Sequence, residues 1–248
     1  MATKPISLSW SVRSLPRRAL LSAPLVLALP AGLTRPARQS AVAPVLLVRG
    51  ETLLATDQGP LAWRVVHGVA ETTPAAFESR ALGFAVARAP FGRLLLTDER
   101  TGSAYRLVGG EAAFVRDGTV QRRESLGTRA ESYLRIELVA AQAVADAGGD
   151  RPVFTGAAFT VPAGTITLSL HRVELAEGDT VSVLPSTGEQ LVLVEQGDVE
   201  LEVDGAADRE LLRTTVGSDT VYAVRSVAGA AILYGARGAT SVLVASLA

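Results

Sequence analysis

The chain has 248 residues, of which 48% are hydrophobic and 20% charged, a balance that excludes a disordered chain and allows one large or two small globular domains. The sequence contains no cysteine, which excludes disulfides, thiolate metal sites and iron–sulfur clusters. Only two histidines, His67 and His171, are present for imidazole chemistry.

Charge is distributed unevenly along the chain, although the net charge is only −1. Seven basic residues and no acidic residue precede Glu51; subtracting them from the 24 basic residues leaves 17 against 25 acidic residues. The remainder therefore has a formal charge of about −8. Because an acidic body repels phosphate backbones, the sequence predicts no nucleic-acid partner.

The first 43 residues have the organisation of an export signal. A basic region that includes Arg17 and Arg18 precedes an apolar run at residues 19–29, and Pro, Ala and Gly follow at residues 30–32. The Arg17-Arg18 pair resembles a twin-arginine signal, although Pro16 stands where Ser or Thr is usual, so the general secretory route stays open. The sequence predicts a leader at residues 1–43 and an extracytoplasmic protein, whether periplasmic, at the cell surface or secreted.

The alternatives for this segment are an uncleaved membrane anchor and a disordered tail without a targeting role. Its uncharged run contains Pro24 and Pro30 and is shorter than the roughly 20 residues of a spanning helix. Contact with a membrane is therefore expected only through the export signal, and only where that signal stays uncleaved.

Beyond Pro44 the pattern predicts an all-β fold. Residues 198–203 alternate polar and apolar side chains, as in a strand with one buried face, and Asp204-Gly205 follows as a turn. The continuous apolar run at residues 191–194 predicts a strand that is covered on both faces. A change in the alternation of apolar residues suggests a β-bulge near His171.

A repeated pattern divides this part of the chain into two β units. Residues 110–118 and 197–205 both begin with Gly and an acidic residue, continue as a strand of equal length and end in Asp-Gly. We therefore expect one β domain at residues 44–149 and a second at residues 150–248, with the boundary in the Gly148-Gly149 region.

The second β unit resembles a cupin over residues 154–247. The first motif of that family has two glycines that enclose His-x-His and Glu at fixed spacing, and Gly178 and Gly197 match both glycines and the interval. The metal-ligand positions of the family hold Leu184, Ser186 and Gln190 here. The first unit resembles a cupin more weakly, and it has Thr97, Glu99 and Ser103 at those positions. The resemblance implies two tandem cupin-like barrels of the double-stranded β-helix (jelly-roll) type, packed face to face.

The substituted ligand positions predict a protein without a metal ion or another cofactor. A transition-metal site needs several converging nitrogen and oxygen ligands, and neither histidine aligns with a ligand position. No catalytic residue is predicted, because no Gly-x-Ser-x-Gly elbow is present and the row of carboxylates at residues 195–202 is typical of a solvated strand face. Candidate ligand-binding residues are instead polar groups that could line the second barrel: Ser186, Gln190, Tyr222 and His171. Loop or core roles remain the alternative for each of them.

These features favour an exported, metal-free module that binds a small molecule or a protein partner. The alternative from another class is a cupin-type enzyme, either a metal-independent isomerase or lyase or a metalloenzyme with an atypical site. A purely structural or assembly role is the third possibility, and self-association into a homo-oligomer stays open.

Overall fold

The computed structural model describes residues 41–55, 59–78, 81–88, 92–143, 150–183, 189–205, 208–213 and 223–248. These residues belong to one compact unit, Ala37–Ala248. Residues 1–40, which include most of the predicted leader and its Arg17-Arg18 pair, lie outside the described residues, as do Ser186 and Tyr222. No helix in the described ranges is long and apolar enough to cross a bilayer.

The described chain is β throughout, apart from one turn of 3-10 helix at Ala141–Ala143. This confirms the all-β prediction. The sixteen strands are β1 (Val45–Leu54), β2 (Leu61–Ala70), β3 (Ala75–Glu78), β4 (Leu82–Ala87), β5 (Arg93–Asp98), β6 (Ala104–Val108), β7 (Ala112–Val115), β8 (Val120–Ser125), β9 (Glu131–Ala140), β10 (Arg151–Thr155), β11 (Gly164–Leu175), β12 (Thr180–Val183), β13 (Gln190–Val203), β14 (Glu210–Arg213), β15 (Ala223–Val227) and β16 (Ala231–Leu247).

Strands β2–β10 form an N-lobe of two facing sheets. One sheet has the order β10-β2-β9-β4-β7 and the other the order β3-β8-β5-β6. Their inner faces enclose a core of small and aliphatic residues together with Tyr133. The inward positions of β4 are Gly83, Ala85 and Ala87, which lie opposite Glu137, Arg135 and Tyr133 of β9. Small side chains on β4 therefore leave space for large ones on β9.

Strands β1 and β11–β16 form a C-lobe built on a single seven-stranded sheet. The main path is β1-β11-β16-β13-β14, with β12 added to β16 and β15 added to β13. Strands β13 and β16 are long and pair with three register shifts near residues 194–199. The first part of β13 pairs with β15 and the last part with β14, so the sheet turns at these shifts. Gly197 lies at the turn with φ +82°, a value that glycine adopts without strain.

The lobes are joined by an apolar core between two sheet faces. One face of β2, β4 and β9 packs against one face of β11, β13 and β16. Trp63 is fully buried there, and its indole N–H donates a hydrogen bond to the Glu189 carbonyl across the interface, with an N···O distance of 2.9 Å. Each large apolar side chain buried in this core contributes about 1.5–3 kcal/mol relative to an exposed one.

Strand pairing crosses the boundary predicted near residue 149 in both directions. β1 precedes the N-lobe in sequence but pairs with β11 of the C-lobe over residues 45–54. β10 follows residue 149 but pairs with β2 of the N-lobe. The division into domains at 44–149 and 150–248 stays a prediction. In the sheets, β1 belongs to the C-lobe and β10 to the N-lobe.

The β-bulge predicted near His171 lies on the neighbouring strand. β11 stays in continuous register with β16 from Leu168 to Leu175. The register shift occurs in β1, between Leu46 and Val48, opposite His171. The apolar alternation along β11 changes because both of its faces are covered, one by the core between the lobes and the other by the core of the C-lobe.

Candidate functional site

The described interior of the C-lobe is a core of aliphatic residues. Its buried members are Val173, Leu175, Val181, Val183, Val192, Val194, Val199, Leu201, Leu212, Val227, Ala231, Leu233, Val242 and Val244. No charged residue belongs to this core among the described residues. The C-lobe core therefore offers little to bind a polar substrate.

Two of the predicted ligand-binding residues lie at the edge of this core. Gln190 is fully buried at the start of β13, and strand alternation places it on the face of Val192. His171 is half-buried and lines a small pocket with Val244 and Ser246. Burial lowers the pKa of His171, and the positive charge of Arg49 lowers it further, which keeps the imidazole neutral near pH 7. The other two predicted residues, Ser186 and Tyr222, cannot be placed relative to this pair, because they lie outside the described ranges.

A buried network of ion pairs occupies the N-lobe interior. Glu137 accepts hydrogen bonds from Arg64, with N···O distances of 2.7 and 2.9 Å, and forms an ion pair with Arg135 at 2.8 Å. Arg135 also reaches Asp150 at 3.0 Å, and Asp150 pairs with Arg123 at 3.2 Å. The three arginines and Glu137 are each less than 10% exposed. The network therefore holds β2, β8, β9 and the entrance to β10 together.

Burial raises the free-energy cost of keeping the side chains of this network charged. Desolvation and the neighbouring charge of Arg135 lower the pKa of Arg123 to about 10. Tyr133 lies beneath Arg123, with 5.5 Å between the guanidinium carbon and the ring centre. The Tyr133 hydroxyl is buried, and among the described residues it has no hydrogen-bond partner. Such a group points to a water molecule or another polar partner in the N-lobe interior.

A cleft of about 740 Å³ opens beside this network. It is lined by β1, by the β5–β6 and β7–β8 turns and by inward residues of the N-lobe such as Leu96 and Ala113. Gln121 lines both the cleft and a smaller cavity of about 10 Å³ that borders Arg135 and Glu137. Gln121 therefore borders both the cleft and the cavity beside the buried ion pairs.

Three arginines from three different segments line the cleft: Arg49 of β1, Arg100 of the β5–β6 turn and Arg116 of the β7–β8 turn. None of them forms an ion pair with another residue of the described chain. Their guanidinium groups are therefore available to bind a carboxylate or phosphate.

Acidic and aromatic groups complete the lining of the cleft: Glu51, Asp98, Asp117, Tyr105 and Phe114. Desolvation acts to raise the pKa of Asp98, but hydrogen bonds from the Arg100 and Thr101 N–H groups outweigh it and leave the pKa lowered. Asp98 is thus an ionised residue that shapes the turn. The Phe114 ring lies directly on the backbone of Gly50, where any larger residue would displace the ring.

The described residues do not fit a metal ion. Within the described ranges, no group of three or more His, Asp or Glu side chains is placed to hold one. Glu99, at a ligand position of the cupin pattern, instead forms an ion pair with Arg122 at 2.6 Å. Gln190, which stands at the Glu position of the cupin pattern in the C-lobe, is a neutral amide.

Solved structures share this arrangement of strands at low sequence identity. AerE from Microcystis aeruginosa is 8% identical with a TM-score of 0.50, and the match covers 84% of this chain and 98% of AerE. The conserved protein of unknown function PA5104 from Pseudomonas aeruginosa PAO1 is 11% identical with a TM-score of 0.50, covering 81% of this chain and 98% of that one. A cupin 2 conserved barrel domain protein from Leptotrichia buccalis is 10% identical with a TM-score of 0.40, covering 81% and 89%.

AerE and PA5104 share the fold of this chain. At these identities the likeness extends to the fold alone. No protein-family model and no curated protein matches the sequence. The functional interpretation of this chain therefore rests on its own residues.

The N-lobe network was missed at the level of sequence, although part of its signal was present. Arg135 and Glu137 are two residues apart in the apolar stretch of β9 that begins at Tyr133, which places both charges on one face. Arg64 likewise interrupts the apolar residues of β2. Charged residues inside strands of this kind are rarely buried unless they are paired, so they mark an internal ion pair.

Proposed function

We propose that this protein is a metal-free small-molecule-binding module with a cupin-like fold, and that its ligand occupies the N-lobe cleft. The observation that carries the proposal is the set of three arginines, Arg49, Arg100 and Arg116, which line one 740 Å³ cleft without an ion-pair partner in the described chain. A cavity of this size falls in the range of small-molecule sites, about 300–1,000 Å³.

The lining favours a polar ligand with at least one acidic group. Guanidinium groups bind carboxylates and phosphates through paired N–H donors. Glu51 and Asp117 can accept hydrogen bonds from ligand hydroxyl or amino groups, and the Tyr105 ring offers an exposed apolar surface. A hydroxylated carboxylate or an amino acid combines these features.

We further propose that the two lobes are tandem cupin-like barrels packed face to face. The repeated motif at residues 110–118 and 197–205 and the apolar core between the lobes support this arrangement. The basic and apolar segment within residues 1–43 supports export, and we propose an extracytoplasmic site of action.

Calorimetric titration tests the ligand site. The purified full-length chain is titrated at low ionic strength with citrate, malate, inorganic phosphate and free amino acids. We expect at least one of these ligands to bind, and we expect Arg100→Gln and Arg116→Gln each to weaken binding at least fivefold. Arg106→Gln is the matched control, because Arg106 is exposed on β6 and does not line the cleft. Equal weakening by the control, or binding of none of the four classes, would refute the assignment.

A further inference from the structure

A short segment before β1 covers the small pocket of the C-lobe. Residues 41–44, called the strap here, run alongside β12, where Ala41 bridges to Thr180 and the Val42 N–H donates to the Thr180 carbonyl at 3.0 Å. Ala41 and Ala43 are exposed, whereas Val42 and Pro44 are half-buried. The strap therefore presents its two larger apolar side chains to the C-lobe.

These two side chains stand at an apolar pocket. Val42 packs against the C-lobe core, and Pro44 lines the pocket itself. The other walls are Val173, Val181, Val183, Val244, His171 and Ser246. The remaining cavity is about 10 Å³, the space of roughly one water molecule.

Two polar groups of the pocket have no hydrogen-bond partner in the part of the chain that the structure describes. Neither the His171 imidazole nor the Ser246 hydroxyl forms a hydrogen bond with any residue of the described chain. A neutral imidazole and a hydroxyl can each donate or accept one. The pocket thus combines aliphatic walls with two unused hydrogen-bonding groups, which is the usual composition of a site for a small, mostly apolar ligand.

The strap is weakly attached compared with the strands around it. Between described residues its backbone makes one hydrogen bond to β12, whereas β1 pairs with β11 along its length. A segment with few backbone hydrogen bonds, in which every second residue is exposed, opens locally at a low free-energy cost. Local opening of the strap would expose the pocket without disturbing the C-lobe sheet.

We propose that, in the chain that retains residues 41–44, the strap is a displaceable plug, and that the pocket beneath it is a second ligand site for a short branched aliphatic molecule with one hydrogen-bonding head group. The hydrocarbon part of the ligand replaces the Val42 and Pro44 side chains against the valines. Its head group hydrogen-bonds to His171 and Ser246. Since the plug competes with the ligand, weakening the plug strengthens binding. This site is separate from the N-lobe cleft.

Methyl NMR of the full-length chain tests the proposal, with 3-methylbutan-1-ol as the probe. In the unmodified protein we expect weak binding, with shifts concentrated on the methyl groups of Val173, Val181, Val183 and Val244. Val42→Ser removes the apolar contact of the plug and lowers the dissociation constant at least tenfold. Ser246→Leu fills the pocket and abolishes the shifts.

The matched control is Ala43→Ser, which alters an outward-facing residue of the same strap and leaves the dissociation constant unchanged. The same spectra report whether each variant is folded. The proposal is overturned if Val42→Ser binds the alcohol no more tightly than the unmodified protein. It is also overturned if the shifts fall outside the pocket valines.

Discussion

The Glu137→Gln substitution is the sharpest test of the buried network. Glu137 is 3% exposed, and its carboxylate forms ion pairs with two arginines, Arg64 and Arg135, at N···O distances of 2.7–2.9 Å. Glutamine preserves the size of the side chain but removes its charge, so both buried guanidinium groups lose that carboxylate. Removing one partner of a buried ion pair typically costs about 3–5 kcal/mol. That loss is a large share of the about 5–15 kcal/mol by which domains are usually stable.

Urea unfolding followed by circular dichroism measures this cost, and Glu99→Gln provides the control. Glu99 pairs with Arg122 at 2.6 Å, but the Arg122 side chain is 54% exposed. A surface pair of this kind contributes about 0–1 kcal/mol. We therefore expect the midpoint to fall far more for Glu137→Gln than for Glu99→Gln at an unchanged slope. Equal falls in the unfolding midpoint would refute the conclusion that the ion pairs of the N-lobe network are shielded from water.

Three further predictions concern single residues and metal content. Because the pKa of His171 is lowered in the folded protein, the unfolded chain binds more protons at this residue below pH 6.5, and acidification favours unfolding. His171→Gln should therefore reduce the loss of unfolding free energy that is measured between pH 6.5 and 5. An unchanged pH profile would contradict this. Gly197→Ala places a Cβ at 2.7 Å from the Thr240 hydroxyl oxygen at a positive φ, and we expect it to cost at least about 1–2 kcal/mol by urea unfolding. Gly102→Ala, at a positive φ but in open space, should cost less, and the reverse order would argue against crowding at the β13–β16 turn. Metal analysis of protein purified without an affinity tag should find Fe, Mn, Zn, Ni and Cu all well below one equivalent; close to one equivalent of any of them would overturn the metal-free assignment.

Local patterns in the sequence predicted the strands well. The run at residues 191–194 was expected to be covered on both faces, and Leu191 and Leu193 indeed face the core between the lobes while Val192 and Val194 face the C-lobe core. The turn predicted after residue 203 is present, with positive φ at both Asp204 and Gly205. These features depend on residues close in sequence, and local periodicity is therefore enough to identify them.

The charged residues of the ionic network were recognisable in the sequence, but their partners could not be predicted because the pairing joins distant strands. Arg64 and Glu137 are 73 residues apart, and they meet only because β2 and β9 pair in a register that sets them opposite each other. Asp150 joins them from the entrance to β10, a strand that sequence alone assigned to the other half. The cleft likewise forms only when β1 crosses beside the β7–β8 turn.

The exchange of β1 and β10 has a consequence for dissecting this chain. A cut near residue 149 would leave the amino-terminal fragment without β10, which borders β2, and the carboxy-terminal fragment without β1, which borders β11. Each fragment would expose a bare strand edge that invites aggregation. The two halves depend on each other's end strands, and expression trials should therefore keep them in one polypeptide.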